Sequence, residues 1–272
     1  MTNPTVLPVK FENPPVVEVA CGVLFNALEG LKAPKLGLFW TQLRDRFPRL
    51  EEAPAIPPVV EPATITTPQM QVQLLSMPPM RRVWFLSENG SRLIQIQQDR
   101  FLYNWKQVNH DDRYPSYDTV IKDFEKYFAQ YIGFLKSEQL GDLIYRQFDL
   151  SYINIIGRHN GLETMAAGEI LRDHIRDKTT NRFLPEPEAF SWNSSYALPG
   201  GVGRLHMSAQ SALRVETGEK ILRLELTARG IPKDPSEVNR RPWFNLAHEW
   251  ITRGFADSTA QAIQQSKWKR QS

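Results

Sequence analysis

The stretch from residue 81 to residue 135 limits the possible folds more than any other part of the chain. In it, Val83 and Phe85 alternate with Trp84 and Leu86, and Ile94 and Ile96 alternate with Gln95 and Gln97. Phe101, Tyr103 and Trp105 then oppose Leu102, Asn104 and Lys106. This two-residue period is that of β-strands, whose successive side chains point to opposite faces. Asn89 and Gly90 separate the first two runs as a strong hairpin signal, and Asp99 and Arg100 separate the second from the third. From about Tyr117 the period becomes helical. Val120, Ile121, Phe124, Tyr127, Phe128, Tyr131, Phe134 and Leu135 fall on one stripe, and Ser116 or Asp118 is placed to cap it. So many aromatic residues on one face imply packing across a sheet. The expectation is a three-strand meander feeding a sheet-packed helix.

The flanking segments extend this plan. Residues 1–15 are punctuated by proline and should run extended. Residues 16–26 read as a strand whose only charge, Glu18, belongs at an edge or facing solvent, while Cys21 reads as a small buried apolar residue. Leu36, Phe39, Trp40, Leu43 and Phe47 define a helix over 35–47, opened by Pro34 and closed by Pro48. Prolines 54, 57, 58, 62 and 68 forbid helix and central strand over 51–68. That span reads as a surface-hugging loop from which Val59, Val60 and Ile65 are able to dock. A further strand is expected at 69–76.

Past Gly141, residues 143–156 read as a strand with Phe148, Leu150, Tyr152 and Asn154 on one face. A helix is expected over 165–177, on Met165, Leu171 and Ile175. A strand follows near 190–196, and a second meander over 202–228 turns at Thr217 and Gly218. Pro242 opens a last helix that points Trp243, Leu246, Ala247, Trp250 and Ile251 inward. Phe255 and Ile263 continue its stripe, and residues 267–270 form a basic tail.

The order strand, helix, irregular segment, meander, helix thus occurs twice, with counterparts spaced roughly 120–127 residues apart. The expected fold class is α+β. Two pseudo-repeats, about 10–140 and 141–266, would fuse into one curved antiparallel sheet with helices packed on one face, in a single domain. This plan is similar to the duplicated half-domain of the TATA-binding-protein fold and, more loosely, to helix-grip folds.

Composition narrows the class. The 272 residues are 41% hydrophobic and 23% charged, as in ordinary globular proteins. A net charge of +3 neither demands nor excludes an anionic partner. No apolar run approaches the ~18 residues of a membrane span. The opening residues lack the pattern of a secretory signal, so a cytoplasmic location is expected. One cysteine rules out an internal disulfide and a cysteine-based metal cluster.

Several segments also resemble a sporadically distributed family of bacterial proteins with no established activity: residues 14–19, 83–90, 99–105, 114–117, 152–154 and the last helix with His248. The resemblance spans most of the chain and implies a single-domain bacterial cytoplasmic protein. It assigns no catalytic residue.

Known catalytic signatures are missing from the text. Gly200, Gly201 and Gly203 lack the lysine and helix of a phosphate loop. His248 and Glu249 are followed by Thr252 and Arg253, so the second histidine of a helical zinc pair is absent. His110, Asp111 and Asp112 read as a solvated loop, and the histidines (110, 159, 174, 206 and 248) show no ligand spacing. Neither metal nor cofactor is expected. Asn104 and Asn154, inside apolar strands, must find partners or face an opening. Arg81, Arg82, Arg92, Arg100 and Lys106 cluster in the first meander. Sharing a face with Trp84 or Trp105, they would contact phosphates.

The leading functional expectation is a non-catalytic binding or adaptor protein with a protein partner. The second is a small-molecule-binding protein or enzyme with a pocket between sheet and helices, near Asn104 and Asn154. The third is a nucleic-acid binder using the sheet face. The candidate binding residues are Asn104, Asn154, Trp105, Arg82 and Arg100.

Overall fold

The computed structural model describes residues 9–57, 61, 80–109, 111–161, 167–174, 183–185, 187–230 and 240–272. The strands are β1 (Val16–Phe25), β2 (Arg49–Ala53), β3 (Arg82–Leu86), β4 (Arg92–Gln97), β5 (Arg100–Lys106), β6 (Tyr145–Ile156), β7 (Ser191–Ala197), β8 (Gly203–Leu213) and β9 (Lys220–Gly230). The helices are α1 (Ala33–Thr41), α2 (Tyr117–Ser137), α3 (Arg241–Ser258) and α4 (Gln261–Ser266). All nine strands among the described residues belong to one sheet, in the order β2-β3-β4-β5-β1-β6-β9-β8-β7. Every pairing is antiparallel. The fold is α+β.

Strand register decides which side chains share a face. Cys21 lies between Tyr103 and Leu150, and Val23 lies between Phe101 and Phe148. This row meets the helices. Phe101 packs on Phe128 of α2 at 5.3 Å, Phe85 on Phe39 of α1 at 6.0 Å, and Phe148 on Trp243 of α3 at 5.6 Å. All eight stripe residues of α2 read from the sequence are buried. The same helix is capped at Ser116, whose hydroxyl accepts from the Thr119 amide at 3.3 Å. Removing such a core from water is the dominant favourable term in folding.

Two glycines matter to this arrangement. Gly90, at φ 73°, makes the β3–β4 turn that the sequence predicts. Gly230 lies directly under the Trp243 indole, where no Cβ fits.

The second face bears Arg82, Trp84, Gln95, Asn104 and Glu18 on one side of the centre, and Asp149, Ser151, Thr227 and Arg229 on the other. It is not bare. The amide of Ile56 donates to Gln97 Oε1 at 2.9 Å, and the amide of Glu61 donates to Gln147 Oε1 at 2.5 Å. After β2, Ile56 therefore docks on β4 and Glu61 on β6.

Some elements differ from the sequence reading. β2 is an additional edge strand, lying just before Pro54, where no proline yet blocks pairing. The strand expected at 69–76 lies outside the described residues. Where one helix is expected over 165–177, the described part is two short 3₁₀ turns, 167–169 and 172–174. Between them the Leu171 backbone bridges to Thr259, and adjacent Ile170 and Leu171 are both buried. The second meander contains two long strands, β8 and β9, with β7 beside β8.

The basic tail is anchored. Trp268 is fully buried, packs at a tilt on Phe255 at 4.9 Å and donates its indole N–H to the Asn160 carbonyl at 2.8 Å. Backbone bonds join Glu12 to Lys269 and Gln271 to Lys10, so residues 10–13 pair with residues 268–271.

Candidate functional site: a cleft beside the N-terminal segment

The paired N-terminal segment forms a wall shared by two clefts. The larger, about 770 Å³, opens toward residues 107–109 and 111–114 and toward Ile155, His159 and Asn160. Its loop folds on itself, since the amides of Val108 and Asn109 both donate to Asp112 Oδ2. The smaller, about 650 Å³, lies between the sheet and the helices. Its floor is Tyr152, Asn154 and Leu226, from β6 and β9. One side is the start of α2 and the other is the α3 face that carries Asn245, His248 and Thr252.

Alternation along β6 puts Tyr152 and Asn154 on the helix face. Helical spacing on α3 turns His248 toward them. The Tyr152 hydroxyl lies 2.8 Å from the Tyr114 hydroxyl and 3.1 Å from His248 Nδ1. The His248 ring stacks on Tyr117 at 4.0 Å with an interplanar angle of 5°. Tyr117 donates its own hydroxyl to Asn245 Oδ1 at 2.9 Å. A neutral imidazole protonated at Nε2 accepts from Tyr152, which then accepts from Tyr114.

Burial determines the charge state of this chain. It drives the His248 imidazole down to about 4, although Asp118 pulls the other way. It pushes the phenols of Tyr114 and Tyr152 above their usual range. All three groups are therefore neutral near pH 7. They are poor acids and bases at that pH, because a catalytic group works best with its pKa near the operating pH. They are well suited to exchanging hydrogen bonds with a neutral polar group.

Two further features point into the same cleft. Asn154 is buried and donates Nδ2–H to the Leu224 carbonyl at 3.1 Å. Among the described residues nothing donates to its Oδ1. At the rim, Ser116 has φ 113° and ψ 156°, a region that side-chain-bearing residues avoid. Such strain costs on the order of 1–3 kcal/mol and clusters at functional sites.

The five residues singled out in the sequence do not converge. Asn154 lines the cleft, and Trp105 is buried on the same face, 5.4 Å from the Tyr114 ring. Asn104, Arg82 and Arg100 lie on the opposite face. Asn104 accepts from Gln95 at 2.8 Å and donates to Glu18 at 2.6 Å. Arg82 sits over the Trp84 ring at 5.1 Å and donates to Gln95 at 2.6 Å. Arg100 pairs with both Asp99 oxygens, at 3.0 and 3.1 Å. Arg92 is on the helix face, 3.7 Å from Asp123.

Tyr114, Tyr152 and His248 are not among the candidate binding residues that the sequence offers. His248 carried the only textual signal, a histidine on the last helix, and it lacked a second histidine one turn on.

A second polar cluster forms where Glu61 meets the sheet. Arg204 donates to Glu61 Oε1 at 2.5 Å, and His206 Nε2 lies 2.6 Å from Oε2. Nearby, burial raises the Asp149 carboxyl to about 6, against the pull of Arg229 and a hydrogen bond from Gln147. Among the described residues no three His, Cys, Asp or Glu side chains gather as a metal set, and no helix is long and apolar enough to cross a membrane.

Fold and cleft together define the class: an α+β protein with an antiparallel sheet, helices on one face, and a half-open aromatic cleft between the layers. No known protein family, curated protein or solved structure matches the chain.

Proposed function

We propose that this is a non-catalytic binding protein that holds a neutral, partly aromatic small molecule in the cleft between sheet and helices. The observation that supports it is the charge-free chain of Tyr114, Tyr152 and His248, ending beside the open acceptor of Asn154. Ligand sites are typically concave and mostly apolar, with a few placed polar groups. A protein partner held on the sheet's second face is the weaker reading, because Ile56 and Glu61 already dock there. Nucleic acid is weaker still, because Arg82, Arg100 and Arg204 already bond Gln95, Asp99 and Glu61.

We read the architecture as two related halves meeting at β1 and β6. The mirrored strand order on either side of that pair supports this reading. Against full symmetry, the described residues contain no counterpart of β2 in the second half.

The test is ligand-observed NMR with a fragment set of neutral and charged aromatics. Neutral hydrogen-bonding fragments should give saturation-transfer signals with the native protein. Those signals should vanish in Thr252→Trp, which fills the cleft from α3. Equal signals from both proteins, or a preference for charged fragments, would refute the proposal.

A further inference from the structure

The two edges of the sheet are built differently. At one end, β2 carries Arg49, Glu51 and Glu52, with Arg49 bonded to Glu51 at 2.8 Å and Arg81 to Glu52 at 3.3 Å. Charge on an edge strand is a standard defence against pairing with another chain. At the other end, β7 reads Ser191, Trp192, Asn193, Ser194, Ser195, Tyr196, Ala197. It has neither charge nor proline, and most of its residues are exposed. It pairs with β8 over its whole length. Among the described residues nothing pairs with its outer side.

We infer that β7 is a docking edge for a second copy of this chain, paired antiparallel about Ser194. The strand is complementary to itself in that register. Trp192 would oppose the Tyr196 position of the other copy, and the reverse, giving two cross-strand aromatic pairs on the helix side. Such pairs are stabilising units of a sheet. Tyr196 is 43% exposed in the single chain, so it has area left to bury. Asn193 would oppose the Ser195 position on the other face, uncharged against uncharged.

Ser194 would oppose itself. Its Oγ is shut off from solvent and has no hydrogen-bond partner among the described residues. Directly opposed residues in an antiparallel pair have Cβ atoms about 4.5–5.5 Å apart. One hydroxyl can then donate to the other after rotation about χ1. An orphaned buried hydroxyl in one chain becomes a satisfied pair in two. An extended segment of an unrelated protein would also satisfy the backbone edge. It would not explain why the strand is its own complement about the residue whose hydroxyl lacks a partner.

The test uses the full chain. Sedimentation equilibrium of the native protein should give a mass of two chains, falling to one on dilution. Ser194→Cys should form a covalent dimer under mild oxidation, since opposed Cα atoms about 4.5–5.5 Å apart lie within disulfide reach. The native Cys21 is fully buried and stays silent. Crosslinking should be on the order of a hundredfold faster than for Leu50→Cys on the charged edge, because the edge contact raises the effective thiol concentration. Ser194→Lys and Ser194→Glu should each be monomeric, and an equimolar mixture should recover the two-chain mass. That recovery cannot come from misfolding. A native protein that stays monomeric at high concentration overturns the inference. So does a dimer that survives in both charged variants, or crosslinking no faster at residue 194 than at residue 50.

Discussion

His248 gives the sharpest test of the cleft. In the unfolded chain its imidazole titrates near 6.5, and in the folded protein burial holds it at about 4. The unfolded state therefore binds more protons between those two values, and stability must rise with pH across that window. The contribution follows from the ratio of the two binding polynomials. Relative to pH 8, the folded state loses about 2 kcal/mol at pH 5 and at most about 3 kcal/mol at pH 4 through this one group.

The perturbation is His248→Phe, which keeps a flat ring against Tyr117 and removes the titration. The Tyr152 hydroxyl retains Tyr114 as a partner. At pH 8 the variant should be less stable than the native protein by about 1 kcal/mol, the net worth of one hydrogen bond. By pH 4 the order should reverse. Urea unfolding of both proteins from pH 4 to pH 8 measures the difference. NMR titration of the histidine side chains should show one imidazole still neutral at pH 5. A native-minus-variant stability that stays constant with pH, or a His248 that titrates near 6.5, would refute the reasoning.

Two other expectations follow from single side chains. Asp149 has the opposite sign to His248. Its folded carboxyl is raised to about 6 from an ordinary 3.8, so its contribution is fully present at low pH and is lost as pH rises through 6. Asp149→Asn should therefore gain about 2 kcal/mol on the native protein between pH 4 and pH 8, read from paired urea curves. Trp268→Ala should lose about 4 kcal/mol, the usual cost of deleting a buried tryptophan. The thermal midpoint should fall accordingly, and hydrogen exchange should quicken at the amides of Glu12 and Asn13, which bond the tail.

The parts of the fold legible in the sequence are those where a local period and a burial pattern agree. The α2 stripe is the clearest case: each aromatic assigned to one face is buried there, because a long amphipathic helix leaves no other arrangement. The meander was legible for the same reason, since alternation over three strands fixes both faces at once. β2 was not legible. Three of its five residues are charged, its two apolar residues do not alternate into a face, and prolines follow at once. The 165–177 segment misled because Met165, Leu171 and Ile175 imitate a helical stripe, whereas the described part is governed by contacts with Thr259 and with the ring of Trp192, 5.3 Å from His174. The cleft was hardly legible at all. Tyr152 lies 38 residues from Tyr114 and 96 from His248. No local spacing encodes that meeting, and only the pairing of β6 at the sheet centre with α3 above it creates the chain.

The second face shows why binding is sought in the cleft and not on the broad surface of the sheet. Gln147 is wholly buried there and Asn104 is 3% exposed, and each of these groups has a named protein partner. Arg82 Nε and Trp84 Nε1 are the exceptions, buried on this face with no partner among the described residues. A buried polar network makes a small net contribution to stability, because desolvation offsets most of the gain. Its effect is to fix one arrangement. The contacts with Arg204, His206 and Gln147 hold Glu61 in one place against the sheet. To expose that face to a partner would break these bonds together and leave buried charges unpaired, at several kcal/mol each. The groups on the helix side are different. Asn154 Oδ1 has capacity to spare, and the neutral Tyr152–His248 pair can admit another donor or acceptor without creating a charge. Under the proposed function a ligand entering there would complete hydrogen bonds, whereas one docking on the second face would first have to break them.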